Sequence, residues 1–155
     1  MNIILPSPLV TQIVTGFRPL KLAKAKLDIL RCLAFAFTPG QVVVTGTNLD
    51  QSLVFTGPLE NTETASLLVP FDLLVQAHKQ AEGDLTLSLE NETWSITGLA
   101  DGVKLTHVIT APPVADFPPQ AEFKEPGQVT PPGFIRTLIE AQSSSYLSPS
   151  DPDTP

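Results

Sequence analysis

The sequence has 155 residues and a single cysteine, Cys32, which excludes an internal disulfide framework and a multi-cysteine metal site. It is also poor in charge: 16% of its residues are Asp, Glu, Lys or Arg, against about 25% in an average soluble domain. No apolar run reaches the ~18 residues that a membrane-crossing helix needs. The opening MNIILPSPLV lacks a basic n-region and carries Pro6 and Pro8, so a secretory leader is not expected and the chain reads as cytoplasmic. There is no glycine-rich phosphate loop. His78 and His107 have no second His or Cys at ligand spacing, and Ser143, Ser144 and Ser145 lack the strand-turn-helix setting of a nucleophile. Cys32 lies in an apolar stretch, as a buried small hydrophobe would. No catalytic set, metal or cofactor is expected, and an enzyme such as a small hydrolase is the least supported class.

What is present is apolar material, 42% of the residues, enough for a core. Sixteen prolines argue against long unbroken helices. The net charge is −7, but its distribution is uneven. Residues 1–31 hold five of the nine cations, Arg18, Lys21, Lys24, Lys26 and Arg31, against Asp28, for a net +4. The rest of the chain has four cations and fifteen acids, a net −11. Such a polarised chain is repelled by a polyanion on most faces and attracted through one. A solvated loop that merely balances acidic neighbours would read the same way.

Residues 1–5 have strand character and Pro6 ends them. Ser7 is placed to cap a helix with Pro8 at its first position. Leu9, Val10, Ile13, Val14 and Phe17 fall on one helical stripe, with Gly16 and Pro19 as the stop. Gln41–Thr45 and Ser52–Thr56 read as strands joined by a polar connection, Gly46 to Asp50. Asn48 and Asp50 serve turn chemistry better than a cation site. Thr64–Val69 is another strand, and Pro70 opens a second helix closed by Gly83. Leu85, Leu87 and Leu89, then Trp94 and Ile96, alternate with polar residues as a hairpin does, with Trp94 filling the sheet core. Val103–Thr110 is the last strand. Strands joined by short turns, with two helices laid on one face, define an α+β domain over residues 1–117. A linker is expected over 118–130, a third helix over 131–142 and a disordered tail over 143–155.

Three stretches in order resemble a known family. Val42 to Val54, VVVTGTNLDQSLV, is similar to the "LTGTDLE" strand-turn-strand of the bacterial DNA polymerase III beta subunit, the sliding clamp. EGDLTLSLENETWSITG, the following strand and Pro113 to Pro118 resemble the end of that clamp's first domain. Val129 to Gln142 resembles the start of its second. The resemblance implies the DNA clamp fold, with helices on an inner wall and antiparallel sheets outside. It implies a non-catalytic processivity factor that holds duplex DNA by its backbone, without reading sequence. Lys24 falls where these clamps carry a DNA-facing basic residue, flanked by Lys21 and Lys26; Lys79 and Arg136 are further candidates. The implied partners are DNA, a replicative polymerase or clamp loader, and further copies or clamp domains that close a ring. Most of the second domain and all of the third have no counterpart here, and the family's peptide-binding pocket lies between those two. The alternative is therefore a clamp-fold binding module, or a truncated clamp, that meets another replication protein without encircling DNA.

Overall fold

Pro6 and Pro70 each end a short apolar strand and open a helix, with nearly the same backbone (φ −57°, ψ 138° and φ −56°, ψ 127°). Around these two corners the computed structural model, which describes residues 1–119, is built twice over. The first half runs β1 (Asn2–Leu5), α1 (Ser7–Phe17), β2 (Cys32–Thr38), β3 (Gln41–Thr47) and β4 (Ser52–Pro58). The second runs β5 (Ala65–Pro70), α2 (Phe71–Gln80), β6 (Leu85–Glu90), β7 (Thr93–Ala100) and β8 (Val103–Val108). Two four-stranded sheets result, ordered β1-β6-β7-β8 and β4-β3-β2-β5, antiparallel throughout. Each half thus lends its first strand to the other half's sheet.

The registers match residue for residue. Leu5 pairs with Leu85 and Val69 with Leu33; Phe35 pairs with Val44 and Leu87 with Ile96. Matching Leu5 to Val69 shifts the numbering by 64, while matching Leu33 to Leu85 shifts it by 52, so the first half holds 12 more residues between its proline corner and its next core strand, most of them in the connection after the helix (residues 18–31 against 81–84). Those extra residues form three 3-10 turns, Arg18–Leu20, Leu22–Lys24 and Asp28–Arg31.

One core joins the inner faces of both sheets to the helices. Leu33, Phe35 and Phe37 of β2, Val42 and Val44 of β3, and Leu85, Leu87 and Ile96 of the other sheet are buried in it. So are Val10, Ile13, Val14 and Phe17 of α1 and Leu74 and Ala77 of α2. Burying each large side chain contributes about 1.5–3 kcal/mol. Gly46 and Gly98 hold equivalent places, and each keeps a helix end close to its sheet. A Cβ on Gly46 would lie 2.8 Å from Leu33 and Phe17, and one on Gly98 would lie 2.6 Å from the Ala81 Cβ.

The sequence-based boundaries need several corrections. Ser7 is not the cap: Pro6 takes that position, and the Ser7 N–H donates to Asp84 Oδ1 at 2.8 Å. The first helix passes Gly16 and ends at Phe17, because that ring anchors in the core. Gly46 is not in the connection but inside β3, which runs to Thr47, where only a residue without a side chain fits beneath Phe17. The last strand stops at Val108 rather than Thr110, whereas the second helix spans the expected FDLLVQAHKQ, Phe71–Gln80. Trp94, on the inner strand β7, is half-buried and packs against the core cluster rather than filling it. The first residues of the expected linker, Pro118 and Pro119, are described; its remainder, the helix over 131–142 with Arg136, and the tail over 143–155 lie outside the described residues.

Candidate nucleic-acid interface

The helix layer is nearly neutral. The exposed face of α1 is Pro8, Thr11, Gln12, Thr15 and Gly16, and that of α2 is Asp72, Gln76, Lys79 and Gln80. The helices run antiparallel: Thr11 meets His78, and further back along α1 Ser7 meets Asp84. Thr11 Oγ1 donates to the Ser7 carbonyl at 2.9 Å, so at 3.0 Å it accepts from the Nε2–H of His78. Nδ1 of His78 is left buried, with no hydrogen-bond partner among the described residues.

The cations gather instead in the extra connection after α1. Leu20 and Leu22 sink into the core and pin the segment, whose middle turn lies beside α2. Lys21 turns the chain in the left-handed region (φ 52°), its N–H donating to the Arg18 carbonyl at 3.1 Å. A non-glycine residue there costs roughly 1–2 kcal/mol. Arg31 holds the far side through its Nε–H to the Ala25 carbonyl at 2.8 Å and a 3.7 Å ion pair with Asp28. Lys21, Lys24 and Lys26 are exposed, and among the described residues none of them forms an ion pair.

These three lysines share one open groove of about 510 Å³ with the β3–β4 turn. That turn is tightly bonded. Thr47 Oγ1 accepts the Leu49 N–H at 3.0 Å, and Asn48 Oδ1 accepts from the N–H groups of Asp50 and Gln51 at 3.2 and 2.8 Å. Asn48 Nδ2 reaches across to the Leu20 carbonyl at 3.4 Å. Leu49 sits at φ 76°, a second strained position. Asp50 is the one carboxylate lining the groove among the described residues.

Of the residues singled out from sequence, the structure thus brings Lys21, Lys24 and Lys26 together. Lys79 follows His78 and stands near the start of α1, at the other end of the helix pair from the basic connection. Arg136 lies outside the described residues. Leu27 and Leu49 are missed by sequence reasoning, yet both line the groove while 58% and 64% exposed. An apolar residue beside charged neighbours, between Lys26 and Asp28 in one case and before Asp50 in the other, is the available signal.

Two further titratable groups are engaged in structure. His107 Nε2 bonds Gln80 Oε1 at 3.1 Å. Cys32 is buried, and burial, with the Asp28 carboxylate second, pushes its thiol up to about 11. Among the described residues no cluster of three or more His, Cys, Asp or Glu is arranged to hold a metal ion, and no helix is long and apolar enough to cross a membrane.

The doubled strand-helix-three-strand unit, with two helices on one side of two antiparallel sheets, is the DNA clamp fold. Solved sliding clamps superpose on it. The DNA polymerase III beta subunit of Pseudomonas aeruginosa matches 79% of this chain and 33% of its own, at 20% identity and a TM-score of 0.67. That of Thermotoga maritima matches 81% and 34% at 21% identity and 0.65, and that of Streptococcus pyogenes 81% and 34% at 17% and 0.67. The chain spans about a third of the length of these clamps. No family model matches the sequence, and no curated protein does.

Proposed function

We propose that this chain is a clamp-type processivity element that associates with the backbone of duplex DNA without reading its sequence. Lys21, Lys24 and Lys26 are the main contacts in this reading, with Lys79 and Arg136 as further candidates. The observation that carries it is three exposed lysines, free of ion pairs among the described residues, on one groove of an otherwise acidic chain. The fold they sit on is that of solved sliding clamps. Phosphate oxygens are the anions that accept such contacts without base information, and acidic faces elsewhere keep the duplex from settling wrongly.

A single such unit does not surround a duplex, so the work requires assembly with copies of itself or with other clamp domains. The open edges of β4 and β8 support this: Leu53, Val54, Val103 and Val108 are exposed along them, and unpaired edges of this kind accept another chain's strand. A head-to-tail contact that repeats generates a ring. Contact with a polymerase or clamp loader then runs through the completed assembly, in the cytoplasm. The role is non-catalytic.

The test is binding of the full chain to a labelled duplex over a salt series. Replacing Lys21, Lys24 and Lys26 together with Gln should flatten the slope of log affinity against log salt by about 0.9 for each phosphate no longer neutralised. An unchanged slope would remove these lysines from the interface. Retention on closed circles but not on linear DNA is expected of an encircling assembly. Equal retention on both, or a strict monomer in light scattering at high concentration, would leave a binding module that does not encircle DNA.

A further inference from the structure

The groove that gathers the lysines is lined mainly by carbon, and a phosphate backbone gives that surface nothing to bind. Leu27 and Leu49 are the prominent features: 58% and 64% exposed, on different loops, on the same groove. Neither loop is slack. The Leu49 turn is fixed by Thr47 and Asn48, and Asn48 fastens it to the basic segment at Leu20. Leu20 and Leu30, both buried, line the same groove. The result is a preformed patch of two aliphatic side chains bordered by Lys21, Lys24 and Lys26.

The backbone of an intact duplex, which is what lysine contacts hold, is phosphate and sugar, against which leucine would lose water and gain little. A strand with unstacked bases is different. It offers apolar ring faces at each step beside the same phosphates; leucine is among the side chains that wedge between bases, and on an unpaired strand it does so without the few kcal/mol that opening a duplex step costs. Single-strand grooves combine cations along the backbone with side chains packed on the base faces, typically aromatic ones; in this groove two leucines hold that place beside the lysines. We infer that Leu27 and Leu49 form a base-contacting element, so that this groove prefers DNA carrying an unpaired strand, as at a primer–template junction, over a blunt duplex. This rests on the DNA-binding reading above and specifies which DNA structure the site takes.

The experiment compares the full chain with a Leu27→Gln/Leu49→Asn variant on two labelled DNAs, a blunt duplex and the same duplex with a single-stranded overhang. Both side chains are exposed and asparagine tolerates positive φ, so thermal unfolding should be unchanged. The expected result is tighter binding of the wild type to the overhang DNA. The variant should bind that DNA about tenfold more weakly and the blunt one less than about twofold more weakly. Equal wild-type binding to both DNAs, or equal weakening on both, overturns the inference while leaving the lysine contacts standing. No binding to either DNA overturns both readings. Binding of an acidic, leucine-containing peptide with no response to DNA would assign the patch to a protein partner and also overturn it.

Discussion

The two halves of this chain share a fold plan but divide the labour. They match at the proline corners, at the strand registers and at the glycines under each helix end. They part at the passage from helix to strand. After α2 the chain needs only residues 81–84 to reach β6; after α1 it takes residues 18–31, which hold five cations and much of the groove. A minimal half therefore suffices for packing. What the first half adds is surface chemistry, anchored at Leu20 and Leu22 so that the addition is as firmly held as the frame.

Breaking that anchor should have the largest effect. Leu22→Ala removes a fully buried side chain and should cost about 2–5 kcal/mol in urea denaturation, with the salt dependence of DNA binding altered as well. A change in stability that leaves the lysine groove's behaviour intact would show that the segment is held by other means.

The glycine pair tests how alike the halves are. An alanine Cβ at Gly98 meets the Ala81 Cβ, which moves only with its backbone, while one at Gly46 meets the ends of Leu33 and Phe17. Gly98→Ala should therefore destabilise more than Gly46→Ala, within a range of about 1–3 kcal/mol. The reverse order would mean that the Phe17 side is the more rigid.

Asp84 and Cys32 occupy equivalent positions, each directly before the core leucine (Leu85 or Leu33) that pairs with the other half's first strand. Only Asp84 offers a carboxylate to a helix start, so Asp84→Ala should cost about 1 kcal/mol by removing support from α1 alone. Amide exchange that rises at the start of α1 and not of α2 would check it.

The smallest effect is at Cys32, whose thiol is raised from 9.0 to about 11. The unfolded chain gives up this proton at lower pH than the folded one. The thiol's contribution to stability is therefore complete below pH 9 and is lost as pH rises toward 11. At neutral pH it should react with a maleimide only on unfolding; fast labelling of the folded chain would contradict its burial.

Much of this frame was legible in the sequence. Alternating Leu85, Leu87 and Leu89, the α1 stripe and the proline corners each produce the expected element, because local pattern and tertiary burial agree there. The doubling was harder to see. Val44-Thr45-Gly46 and Ile96-Thr97-Gly98 are a faint echo, and the 12 extra residues shift the two copies out of phase. Gly46 reads as a turn residue until the ring of Phe17 above it is known. The cation run was visible, whereas the helix pairing that separates Lys79 from it, and the two loops that place Leu27 and Leu49 on one groove, are tertiary facts that the local sequence does not announce.

The exchange of first strands between the sheets has a consequence for how the chain comes off the ribosome. Met1 bonds to Leu89, and Asn2 is in register with Ser88, so the N-terminal strand must wait for most of the described chain before it finds a neighbour. Contacts this distant in sequence make folding slow. Until β6 emerges, β1 is an exposed apolar strand, and a nascent chain halted at the midpoint would hold one sheet short of its β5 edge and a lone strand with no sheet to join.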